Sequence, residues 1–282
     1  MSAYLPAPRP ASGGRGLLLH LAGPLQSWGE RSQFNERDTA PFPTRSGVIG
    51  LLASALGRER GADITDLVGL SLTVRVDRPG VLLRDLHTVG GGLPPGATVT
   101  TADGKKRPGA SSTLLSHRHY LADAAFTAAV TGDPAVLAAC ADALDAPRWP
   151  PFLGRRSCPP EGPLLLGLFD DVTRQLIGLP IARRRPASAA NVEVVFHGDR
   201  PLTFLSHGGG PGEDGAHPAG QVTDEPSTFH PRHRAYRARP RYQRTLALPA
   251  DRCAGLGTAY LTALGDHLDR SADRRRPEST RP

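Results

Sequence analysis

The chain has 282 residues, 39% of them hydrophobic, which is enough to fill a core and excludes a disordered protein. Its net charge of +7 and pI of about 9.9 favour a polyanionic partner, and all 34 basic residues except Lys105 and Lys106 are arginine, the side chain suited to bidentate phosphate contacts and to stacking on bases. No run reaches the ~20 apolar residues of a membrane span, the opening MSAYLPAPRPASGGRG lacks the apolar core of a secretory signal, and Cys140, Cys158 and Cys253 form no CxxC pair, so a disulfide framework and a cysteine zinc site are excluded and a cytoplasmic protein is expected.

In chain order, residues 1–15 read as a loose leader and Gly16 to Ala22 as a buried strand. A polar connector follows, and then a helix that Thr44 or Ser46 can cap. Its apolar positions Val48, Ile49, Leu51, Leu52, Ala55 and Leu56 recur with helical period, and Gly57 ends it. Leu70, Leu72, Val74 and Val76 alternate with Ser71, Thr73 and Arg75 as in a half-buried strand closed by Pro79 and Gly80. Residues 90–112 form a long insertion between strand-like arms at Val81 to Val89 and Thr113 to Val130. Loops of that length in compact domains are usually functional or disordered. Asp133 and Pro134 start a helix over Val136 to Leu144, and Leu164 to Phe169 is a further strand. The order β-α-β-β-α-β is that of an α+β, ferredoxin-like (RRM-like) domain over 16–182 with an extended hairpin. After Arg183 to Arg185, a smaller β-rich unit is expected over 183–268. It comprises strands at Val192 to Phe196 and Thr245 to Leu248, a glycine-rich loop at Gly208 to Gly220 and a helix from Leu256 to Leu268, and a disordered basic tail follows over 269–282.

Four stretches carry candidate chemistry. In the connector, Arg31, Arg37 and Arg45 surround Trp28 and Phe34, an arrangement for phosphate contacts beside a stacking surface, unless the two rings plug the core. SHRHY at 116–120 places Arg118 and Tyr120 on one strand face and His117 and His119 on the other, either as a hydrogen-bonding RNA surface or as general acid and base for metal-independent cleavage through a 2′-hydroxyl. WPPFLGRRSCPP at 149–160 holds Arg155 and Arg156 between prolines as a phosphate clamp. HPRHRAYRARPRYQR at 230–244 interleaves six arginines with Tyr236 and Tyr242 and is read as an RNA or protein contact. His230, His233 and Asp224 make a poor metal set among prolines and arginines. No phosphate-loop, HExxH or GxSxG signature is present, and neither metal nor cofactor is expected.

GPLQSWG at 23–29, RDT at 37–39, PTRSGVIGLLASALG at 43–57, RVDRPG at 75–80, LHTVGGG at 86–92, RHYLADAAF at 118–126 and PRWPPFLGRRSCPP at 147–160 together resemble the CasD subunits of type I-E CRISPR Cascade. DEPSTFHPRHRAYRARP at 224–240 is similar to the same family's C-terminal segment. The resemblance implies a domain of the RAMP superfamily that caps one end of a surveillance complex and holds the 5′ handle of the crRNA, with a thumb hairpin at about 85–117 set against the neighbouring backbone subunit. Its implied partners are that subunit, CasC, the large subunit CasA and, indirectly, target DNA. The implied handle contacts are Gln26, Trp28, Arg37, Arg45, Ser46, Arg118, His119, Tyr120, Arg155 and Arg156. The related type I-C subunit cuts repeat RNA with a Tyr, Lys and His set. No lysine adjoins a histidine here, and arginine is a poor proton donor, so non-catalytic binding is expected, with ribonuclease activity as the alternative.

Overall fold

A computed structural model describes residues 14–30, 35–91, 94–101, 104–107, 113–205 and 216–273. The first 13 residues of the expected leader, Arg31 and Phe34, parts of the 90–112 insertion, residues 208–215 of the glycine-rich loop and Arg274 to Arg276 of the tail lie outside the described residues.

The protein is a mixed α+β fold built on antiparallel sheets. The strands are β1 (Gly16–Ala22), β2 (Leu25–Gln26), β3 (Glu36–Arg37), β4 (Ser71–Arg78), β5 (Val81–Val89), β6 (Leu114–Ala122), β7 (Ala125–Thr131), β8 (Leu165–Phe169), β9 (Asn191–Gly198), β10 (Pro218–Thr228) and β11 (Ala235–Pro249). The helices are α1 (Arg45–Ala55), α2 (Thr65–Val68), α3 (Pro134–Asp145), α4 (Val172–Gly178) and α5 (Gly257–Asp273). The main sheet runs β10-β11-β9-β4-β7-β1-β8, with every neighbouring pair antiparallel. A smaller sheet orders β2-β6-β3, and β5 also pairs with β6.

Each face of the main sheet has its own core because β1 is covered on both sides. Leu17, Leu19 and Leu21 join α1 and α3, whereas Leu18 and Ala22 join α4 and α5. That double cover explains an uninterrupted apolar strand. It also corrects the half-buried reading of β4. Arg75 and Asp77 are 0% exposed, 2.6 Å apart, and Thr127 donates to Asp77. The Arg75 guanidinium donates to the carbonyls of Leu176, Leu179 and Pro180 at the end of α4, whose own helix leaves them unpartnered.

Three further expectations change. The arm from Thr113 to Val130 is two strands, because Asp123 takes a positive φ of 56° and turns the chain from the small sheet (β6) into the main one (β7). Residues 183–268, expected as a smaller β-rich unit, add their strands to the main sheet: β9 hydrogen-bonds to β4, and β11 and β10 extend it. The last helix continues to Asp273, five residues into the expected tail. Asp133 does cap α3, accepting from the amides of Ala135 and Val136.

Where β9 and β11 cross the connector, the His197 ring stacks on Phe42 with centroids 4.3 Å apart. Burial, together with the positive charges of Arg241 and Arg239, lowers His197 to about 4, and burial lowers His20 also. Both are neutral in the fold and take up protons on unfolding, so stability is full above the ordinary histidine pKa of 6.5 and is lost as pH falls from there towards 4. Thermal denaturation should therefore show a midpoint that falls between pH 6.5 and about 5, above the range where ordinary carboxylates titrate. His197→Gln should make that fall shallower.

Candidate nucleic-acid interface

The connector between β1 and α1 is shaped by buried polar bonds. Gln26 is 0% exposed. Its amide donates to the carbonyls of Leu21 and Ala124, and its Oε1 accepts from Trp28 Nε1 at 2.9 Å. Trp28 is likewise 0% exposed and lies over α1, where a Cβ on Gly47 would come within 2.6 Å of the indole. Trp28 and Ala40 pair across the connector, closing it into a loop whose far strand, β3, runs parallel to β6 with Arg37 opposite Arg118.

The proline turn closes over this loop. Gly154 has φ +88°, and a Cβ there would meet Ser27 O at 1.7 Å, so the position is a forced glycine. Arg155 then reaches back: it donates to His119 O at 3.1 Å, to Arg37 O at 2.8 Å and to Asp38 O at 3.3 Å, with its guanidinium 4.7 Å from the Tyr120 ring centroid. Arg156 is exposed.

Arg45 opens α1 but points into the protein. It is 1% exposed, 2.6 Å from Asp199 and 2.5 Å from Glu225, and it donates to Val68 O. The N-terminus of α1 is capped from a distance as well. Thr44 makes no side-chain cap bond, and Asp224 accepts the Arg45 amide at 2.7 Å while itself gripped by Arg239 at 2.6 and 2.9 Å. The expected local cap is thus replaced by a carboxylate from β10.

The consequence is a groove. One cleft of about 510 Å³ is walled by Arg37, Ser46, Arg155, Thr223, Arg234 and Tyr236, with Glu30 at its edge. A second, of about 560 Å³, continues along α1 and shares Ser46, Gly47, Gly154, Arg234 and Tyr236 with the first; Trp149, Phe152, Phe229, Arg58, Glu59 and Arg60 are among its other lining residues. Arg58 is engaged by Asp66 in a bidentate pair; Arg60 and Arg234 are exposed.

Of the ten residues expected at the interface, the structure brings Trp28, Arg37, Ser46 and Arg155 to one cleft. Gln26, Trp28 and Arg45 are buried; Trp28 underlies the first cleft, and Gln26 and Arg45 line neither. Tyr120 is 6% exposed and lies beneath Arg155. Arg118 and His119 are half-buried on β6 and, like exposed Arg156, line neither cleft. Arg234 and Tyr236, read from sequence only as an RNA or protein contact, join the clefts, and Trp149, Phe152 and Phe229, not singled out from sequence, line the second. Their basic and aromatic stretches were visible, but nothing in the spacing joined them to α1.

The described residues contain no group of three or more His, Cys, Asp or Glu placed to hold a metal, and no helix among them is long and apolar enough to cross a membrane. A family model described as CRISPR-associated protein (Cas_Cas5) matches residues 16–242, the span that holds the whole groove. The chain is 41% identical over 168 residues to the CRISPR system Cascade subunit CasD of Escherichia coli (strain K12), a match covering 54% of this chain and 70% of the relative. It is also similar to a chain of a solved CRISPR RNA-guided surveillance complex, with a TM-score of 0.77 and 41% identity over 90% of this chain and 99% of that one. A second solved structure, described as a Cas protein, gives a TM-score of 0.55 at 33% identity over 86% and 98% of the two chains.

Arg45→Ala would remove the buried guanidinium that pairs with Asp199 and Glu225, so it should lower the unfolding free energy by about 3–5 kcal/mol in denaturant titration.

Proposed function

Because the chain belongs to the CRISPR-associated protein (Cas_Cas5) family, we propose that it is a CasD-type crRNA-binding subunit of a type I-E Cascade, working in antiviral defence in the cytoplasm. In this role it holds the 5′ handle of the crRNA, contacts the backbone subunit CasC and the large subunit CasA, and meets target DNA only indirectly. The observation that carries the reading is the continuous groove along α1, with Arg37, Arg155 and Arg234 on the polar side and Trp149, Phe152 and Tyr236 on the aromatic side. Arginine heads supply charge without sequence readout, and aromatic faces accept unstacked bases. Single-stranded RNA offers both.

The ferredoxin-like reading is supported by the order β4-β7-β1-β8 within the main sheet, with α1 and α3 sharing one core. The thumb reading is supported by the β5–β6 pairing outside that sheet and by exposed Val81, Leu82, Leu86 and Leu115 on it, an apolar surface suited to a neighbouring subunit.

The role is non-catalytic in this reading. Neither His117 nor His119 of SHRHY lines the groove, and Arg84 contacts the His117 ring at 2.5 Å. Lys106 is held by Thr98 O and Thr100 Oγ1, each at 3.0 Å, within the insertion.

Arg37→Ala and Arg234→Ala should each weaken handle-RNA binding and flatten the slope of log affinity against log salt by about 0.7 per lost phosphate contact. Titration across a salt series checks this, with unchanged slopes removing both residues from the RNA surface.

A further inference from the structure

The two halves of the groove differ in chemistry. The first cleft is walled by the arginines that β3 and the proline turn supply. The second runs along α1 at Gly47, Gly50, Ala53 and Ser54, with Phe229 Cζ 3.8 Å from where a Gly50 Cβ would stand. Trp149 and Tyr236, each 39% exposed, are among the most exposed large apolar side chains of the molecule outside the β5–β6 hairpin. A part-exposed tryptophan at the wall of a cleft has surface to gain by stacking.

We propose that this second cleft is a base pocket: one unstacked base of the bound RNA inserts between Trp149 and Tyr236, while its flanking phosphates stay in the arginine-lined first cleft. The assignment rests on the RNA-binding reading and adds to it a division of labour and a specificity-determining wall. An RNA base fits better than a protein side chain because exposed Arg60 and Arg234 outnumber the one exposed acid of the lining, Glu59, and because the pocket opens directly into the first cleft through five shared residues: Ser46, Gly47, Gly154, Arg234 and Tyr236. A chain that runs through one half is delivered to the other.

The molecule carries its own probe. It has two tryptophans, Trp28 buried at the first cleft and Trp149 in the second, so the part of the emission change on adding RNA that is lost in Trp149→Phe reports Trp149. Full-length protein is titrated with a single-stranded RNA carrying the repeat-derived handle, and with a set of the same RNA in which each handle nucleotide in turn is abasic. The expected result is quenching of Trp149, about tenfold weaker binding by Trp149→Ala with an unchanged salt slope, and near-normal binding by Trp149→Phe. One abasic position should weaken the wild type while leaving Trp149→Ala unaffected, a pattern that a merely structural role would not produce. Unquenched emission with Trp149→Ala binding like wild type, while Arg37→Ala still weakens binding, would overturn the base pocket, leave the RNA-binding reading standing and assign the cleft to a protein side chain. No binding of any RNA by the wild type would overturn both.

Discussion

The burial of Arg45 between Asp199 and Glu225 is the constraint on which the groove depends. A guanidinium with 1% exposure is tolerable only when its charge and donors are met, and the partners come from parts of the chain far apart in sequence: Asp199 after β9, Glu225 on β10 and Val68 O at the end of α2. Replacing such a cluster by apolar residues need not destabilise a protein, but breaking one member does, so what the cluster supplies here is registry. It fixes the start of α1 against β10. α1 is the floor of both clefts, and the chain from β10 into β11 brings Phe229, Arg234 and Tyr236 to the same clefts.

Arginine does two jobs in this chain, and its count alone does not separate them. Arg45, Arg75, Arg155, Arg183, Arg244 and Arg252 all donate to backbone carbonyls. They staple strand ends, a helix C-terminus and loops, and the planar fork that suits phosphate also suits clustered carbonyls. The charge available to a polyanion is the remainder, such as Arg37, Arg60, Arg156 and Arg234, exposed around the groove and the proline turn. Arg155 belongs to both groups: it lines the cleft, yet its bonds to His119, Arg37 and Asp38 hold the connector closed.

Much of the fold was legible because local patterns agreed with the tertiary arrangement. The apolar run of β1, the Asp133 and Pro134 start of α3 and the helical period of α1 each became the expected element. What was not legible depended on long-range pairing. The polar face of β4 looked solvated because nothing local reveals that α4 covers Arg75, and the cap of α1 looked local because Asp224 is 179 residues away. The candidate site was half visible for the same reason. Trp28 and Gln26 sit in a distinctive motif, but that motif encodes a buried hydrogen-bonded turn, whereas Trp149 and Tyr236 acquire their meaning from the groove that α1 and β11 make together.

The most direct test of the account is amide hydrogen exchange of the full-length chain with and without handle-bearing single-stranded RNA. A groove assembled from three distant segments should gain protection in all three at once, around residues 37–47, 152–156 and 229–236. Protection confined to the β5–β6 hairpin, or to one of those segments without the others, would contradict it.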